Sequence, residues 1–105
     1  MSNLRRYEVL LPLKFNDGQP VPWSLIGDTL LELRQRFGAA SFETQTILGI
    51  WRQDGTEYHD EMVRVFVDVE DRPEHRQYFR DYKAKLKSRF RQFEIWITTY
   101  PVESV

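Results

Sequence analysis

Met62-Val63-Arg64-Val65-Phe66-Val67-Asp68-Val69 decides the fold of this chain. Valine holds every odd position, while the even positions carry a thioether, a guanidinium, an aromatic ring and a carboxylate. Successive side chains of a strand point to opposite faces, so this segment has one purely apolar face and one mixed face. The valine face has to be covered by other apolar groups, and the spacing predicts a strand over Tyr58 to Val69 in a sheet with one core side.

Upstream, β-branched and aromatic residues are dense from Ser41 to Trp51, and Asp54-Gly55 is a tight-turn signal. The two segments form a hairpin. Downstream, Glu70, Asp71, Arg72 and Pro73 break the strand and place acid where a helix start favours negative charge. The helix they open runs to about Phe90, with Phe79, Tyr82, Leu86 and Phe90 facing inward. Phe93, Ile95 and Ile97 then alternate with Glu94, Trp96 and Thr98, which predicts a last strand and a short tail from Pro101.

Nearer the start, Tyr7, Val9, Leu11 and Leu13 recur at every second residue between Arg6 and Phe15, predicting a first strand. Pro12 lacks a ladder donor and is expected at the strand's end or at a bulge. Asn16 to Pro22 holds Asp17-Gly18 and two prolines and reads as a loop. Trp23, Ile26, Leu30, Leu33 and Phe37 follow helical spacing from about Pro22 to Phe37, and Gly38 ends that helix.

The order strand, helix, strand, strand, helix, strand specifies an α+β, ferredoxin-like βαββαβ fold: a four-stranded antiparallel sheet with two helices on one face. At 105 residues the chain is expected to be a single domain, 1–105. Its 15 basic and 16 acidic residues leave a net charge of −1, so no global field draws it to nucleic acid or an acidic membrane. Cysteine is absent, which removes disulfides, thiolate metal sites and cysteine nucleophiles. A polar start without an apolar leader, and no apolar run long enough to span a bilayer, point to a cytoplasmic protein with no membrane contact.

With Val63, Val65, Val67, Ile95, Ile97, Val9 and Leu11 assigned to the helices, the opposite face carries Glu8, Leu10, Met62, Arg64, Phe66, Glu94, Trp96 and, at its margin, Trp51 and Tyr100. Its large apolar side chains would expose roughly 400 to 600 Å², at or above the largest patch of an ordinary monomer. Sheet-to-sheet self-association, a dimer in its simplest form, is the leading expectation, with Leu10, Met62, Phe66 and Trp96 as central anchors. Closure of the face by the tail from Thr99 to Val105, or by the loop before the first helix, is the single-chain alternative. Base stacking on the face is disfavoured, because Glu61 to Asp68 lacks the basic residue, glycine and paired aromatics of RNA-recognition sheets.

His59, Glu61, Arg64 and Arg52 are the candidate catalytic or ligand-binding residues, since a histidine near carboxylates can move protons. The bland reading is a solvated hairpin end. His59 and Glu61 share a face but fall short of three zinc ligands, and no metal or cofactor is expected. His75, in the first turn of the second helix, reads as simply exposed. That helix carries eight Lys and Arg from Arg72 to Arg91, with Tyr78 and Tyr82 interleaved. Nucleic-acid contact there is a third reading, set against the usual solvated charge run. There is no phosphate-cradling glycine loop, nucleophile elbow or dinucleotide fingerprint.

The stretches Tyr7-Glu8-Val9-Leu10-Leu11-Pro12-Leu13-Lys14-Phe15-Asn16-Asp17-Gly18 and Gly49-Ile50-Trp51, followed by Tyr58, Asp60 and Glu61, resemble small prokaryotic proteins grouped as a domain of unknown function. The resemblance spans most of the chain and transfers no catalytic residue. At the level of fold the topology also resembles dimeric α+β barrel proteins, whose sheets pair face to face around a cavity, so a small-molecule ligand held between sheets is a further reading.

Overall fold

The computed structural model describes residues 3–105. Its elements run β1 (Leu4–Pro12), α1 (Trp23–Phe37), β2 (Ser41–Gln53), β3 (Thr56–Glu70), α2 (Pro73–Phe90) and β4 (Ile97–Val102). The strands form one antiparallel sheet in the order β2-β3-β1-β4. The fold is therefore α+β with the predicted βαββαβ order.

The valine alternation positions everything else. Val63, Val65, Val67 and Val69 are buried together with Tyr7, Val9 and Leu11 of β1, and Ile26, Leu33, Phe79, Tyr82, Leu86 and Phe90 of the helices cover them. The buried residues of α2 are the four that the helical spacing selects. Within this core Phe79 stacks on Tyr7 at 4.3 Å and on Phe37 at 5.6 Å between ring centroids, tying β1, α1 and α2 together. Each helix ends on a left-handed residue, Gly38 at φ 90° after α1 and Arg91 at φ 53° after α2.

Four local expectations need correction. The last strand is Ile97–Val102 rather than Phe93 to Thr98. Residues 91–96 serve instead to carry the chain from the end of α2 to the sheet; the Leu10 N–H to Trp96 carbonyl bond, 3.0 Å, ties that stretch to β1, and Ile95 is buried in the core. The tail therefore cannot fold back over the sheet from Thr99, because Thr99 to Val102 is itself part of an edge strand paired with β1. β1 stops at Pro12 and not at Phe15; Lys14 makes only an isolated bridge to Pro20. His75 is half-buried, with Nδ1 2.7 Å from the Glu70 carbonyl and its ring edge-on to Phe37, so it pins the β3–α2 junction.

Pro12 is explained by the ladder. Leu13 donates to Glu61 of β3 whereas Leu10 donates toward the β4 side, so odd residues bond one neighbour and even residues the other. The missing donor of Pro12 thus faces an edge that β4, whose pairing with β1 ends at Val9 and Ile97, does not reach. In β2, Glu43 pairs with Arg64 and Ile47 with Met62, four steps against two, so a bulge inserts two residues in this edge strand.

The two helices are joined by a polar pin. Arg89 donates to both carboxylate oxygens of Glu32 at 2.9 and 2.8 Å, Tyr82 Oη donates to Glu32 at 2.7 Å, and Lys85 Nζ lies 3.1 Å away. Arg89 also donates to the fully buried Thr29 hydroxyl at 2.9 Å. The Arg89 bonds hold the Glu32 carboxyl at about 2, against an ordinary 4.5, and outweigh its desolvation. Glu32→Gln should lower the unfolding free energy at pH 7 by about 2 kcal/mol. A carboxyl that titrates lower in the folded chain stabilises it fully above about pH 4.5 and ceases to do so as the pH falls toward 2. The difference between wild type and variant in urea titrations should therefore shrink over that window; a constant difference down to pH 2 would exclude the charge as its source.

Candidate functional site

Beyond the Pro12–Met62 pair, β1 has ended and β2 and β3 continue as a two-stranded ribbon from about Leu48 and Glu61 to the Asp54-Gly55 turn. Such a ribbon is marginal in water by itself and needs packing on its faces. Cross-strand partners share a face, so Trp51 and Tyr58 lie on the open side of the sheet, away from the helices, with Gly49, Asp60 and Met62. Leu48, Ile50, Arg52, Glu57, His59 and Glu61 lie on the opposite, helix side.

A hollow flanks each face. On the open side a cavity of about 610 Å³ is lined by Leu10, Pro12, Met62, Trp51, Phe93 and Trp96, with Asp60 and Glu94 among its polar groups. Trp51 stacks on Tyr58 at 4.6 Å, Phe93 meets both rings edge-on at 6.4 and 6.0 Å, and the Trp51 indole N–H donates to Asp60. Gly49 makes room here: a Cβ on it would sit 2.6 Å from the Met62 ε-methyl, so only glycine lets that thioether lie across β2 undisturbed. Phe93, which period-two alternation assigns to a strand, is instead a loop residue packed on the sheet face, and its mate is the distant Trp51–Tyr58 pair.

On the helix side a cavity of about 410 Å³ lies between the ribbon and the loop after β1, lined by Lys14, Phe15, Leu48, Ile50, His59 and Glu61 among others. Phe15 lies beneath the Arg91 guanidinium, 4.6 Å from its ring centroid. His59 Nε2 is 2.8 Å from Glu57 Oε2, an exposed contact. Of the four sequence candidates, His59 and Glu61 meet in this hollow and Arg52 shares their face near the tip. Arg64 does not join them: it projects from the open face between Glu8 and Glu43, with carboxylate oxygens at 3.2 Å from each.

Arg64 belongs to a charge ladder across the centre of the open face. Tyr100 donates to Glu8 at 2.7 Å, and Arg6 makes paired bonds to Asp68 at 2.7 and 2.9 Å. The Arg6 guanidinium lies 4.3 Å from the centroid of the Phe66 ring, so Phe66 is half-buried beneath it. Leu10, Met62 and Trp96 instead gather at the ribbon end, where Trp96 is 61% and Phe93 52% exposed. Half of the basic run from Arg72 to Arg91 is paired with acid: Arg72 with Glu70, Lys83 with Glu94, and Lys85 and Arg89 with Glu32.

No helix among the described residues is long and apolar enough to cross a membrane. No family model matches the chain, and no curated protein matches it. Solved structures do share the fold. A phage SAM lyase in complex with S-methyl-5'-thioadenosine superposes with a TM-score of 0.72 at 13% identity, covering 99% of this chain and 92% of that one. A divalent cation tolerance protein (Cut A1) from Thermus thermophilus gives 0.64 at 12% identity, covering 97% and 86%. The likeness is one of fold.

Gly49→Ala tests the packing of the open-side hollow. The obstructing atom is the end of a flexible side chain, so the variant should stay folded at a cost below about 1 kcal/mol. The Met62 methyl resonance should move; an unmoved methyl would show that Met62 does not lie across Gly49.

Proposed function

We propose that this protein is a cytoplasmic, single-domain, homo-oligomeric interaction module that associates through the open face of its sheet. The observation that carries the proposal is the exposed Trp96 and Phe93 beside Leu10 and Met62 at the ribbon end of that face. Apolar side chains of this size, contiguous and uncovered, mark a contact surface. The adjoining ladder of Glu8, Arg64, Glu43, Arg6 and Asp68 supports it as a rim, with both signs of charge interspersed and largely neutralised. Among the anchors expected from sequence, Leu10, Met62 and Trp96 line this patch, whereas Phe66 lies apart from it under Arg6. The cysteine-free composition suits a reducing compartment.

Light scattering on a sizing column at high micromolar concentration is expected to give a mass of two or more chains. Leu10→Glu with Trp96→Glu should weaken association by about 30-fold or more, the weight of one central aromatic anchor, while the helical circular dichroism is kept. A wild-type monomer would reject the proposal.

A second reading is favoured by one feature: the helix-side hollow brings His59 and Glu61 together with Lys14 and Phe15. It is a small-molecule site in that reading, and the nucleoside held by the phage lyase makes S-methyl-5'-thioadenosine the first probe. Saturable shifts of the His59 imidazole resonances that are lost in Glu61→Ala support it, and unchanged spectra at millimolar ligand count against it.

A further inference from the structure

The geometry points to a head-to-tail assembly, in which the helix side of the ribbon of one copy lies in the open-face hollow of the next. This deepens the proposed self-association and rests on it.

The chain exposes two apolar patches on opposite sides of the same ribbon. On the open side are Trp96 and Phe93, and on the helix side are Leu48 and Ile50, 76% and 68% exposed. The register fixes this opposition, because Leu48 pairs with Glu61 and Ile50 with His59, both on the valine side of β3, while Trp51 pairs with Tyr58 on the other. Each patch exposes about 250 Å² of large apolar side chain, given the size of such residues.

A two-fold pairing of open faces buries only one of the two patches. It covers Trp96 and Phe93 in both copies and leaves Leu48 and Ile50 in water on the outer sides. A heterologous contact covers both, since each copy offers its ribbon to one neighbour and its hollow to the other. The shape suits this arrangement. The molecule measures 46 × 28 × 25 Å, and the six paired ribbon residues of β2, Leu48 to Gln53, extend about 20 Å past the end of β1. The hollow, about 610 Å³ with an aromatic wall, exceeds the volume of two aliphatic side chains; Ile50 of the same chain also borders it, from the ribbon, although its register partner His59 lies on the helix side.

The stability of the ribbon supplies a second argument. Its open side is held by Trp51, Tyr58 and Phe93, whereas the hollow on its helix side is flanked, among the described residues, by the short loop from Lys14 to Gly18. A two-stranded ribbon packed on one face gains from a neighbour that dries the other. A ring of identical contacts is the closed form of this interface, and a chain of them the open form.

Because the natural chain has no cysteine, engineered ones report unambiguously. Ile50→Cys and Trp96→Cys proteins, mixed in equal amounts and treated with a short bis-maleimide, should give covalent dimers at several times the yield of either variant alone. Leu48→Cys with Leu10→Cys repeats the test at positions that spare the aromatic ring, and circular dichroism verifies folding. Trp96→Cys or Leu10→Cys linking only to itself would overturn the head-to-tail geometry and leave self-association standing. A monomeric mass by light scattering would remove both.

Discussion

One constraint governs this molecule: the valine side of β3 must be kept from water. β3 is a central strand, so its odd side chains lie in the middle of the layer that α1 and α2 cover. Burying such side chains is worth roughly 1.5 to 3 kcal/mol each, larger than any single surface ion pair in the chain. That burial sets the face of every neighbouring residue, since a slip of one position would exchange Val65 for Arg64 in the core. The open face, the charge ladder on it and the two sides of the ribbon all inherit their orientation from this choice.

Polar groups then divide between holding and presenting. Glu32, Arg89, Tyr82 and Thr29 lock α1 to α2, where a mutually bonded cluster resists sliding of one helix along the other. On the open face of the sheet, Arg64 and Arg6 partner nearby carboxylates. The same arginines close part of the apolar surface and confine the rest to the ribbon end. Hence the exposed rings of the open face, Trp96 and Phe93, cluster where the sheet is narrowest and where an incoming surface can reach both sides of β2 and β3.

The alternation in β3, the four inward residues of α2 and the hairpin turn at Asp54-Gly55 are legible in the sequence because each is a local pattern whose period matches one element. The sidedness of Leu10, Met62 and Trp96 follows from the same arithmetic. The last strand escapes this reading: Phe93 to Thr98 alternates perfectly well, yet Arg91 ends α2 in a left-handed turn and the chain needs those residues to cross to the edge of β1. Nothing local reports that distance. The role of His75 is hidden for a similar reason, since its partners, the Glu70 carbonyl and Phe37, come from elements that only packing brings to the helix start.

By itself the sequence determined the element order, the fold class and which residues share a face, because side-chain period is a property of the backbone and needs no partner. Tertiary structure alone decided which candidates meet. His59 and Glu61 share a hollow with Lys14, whereas Arg64 is held by Glu8 and Glu43 across the sheet, and Phe66 lies under Arg6 rather than in water. Contacts between residues far apart along the chain depend on the lengths of loops and the bulge in β2, and these distances are set by the closure of the whole sheet.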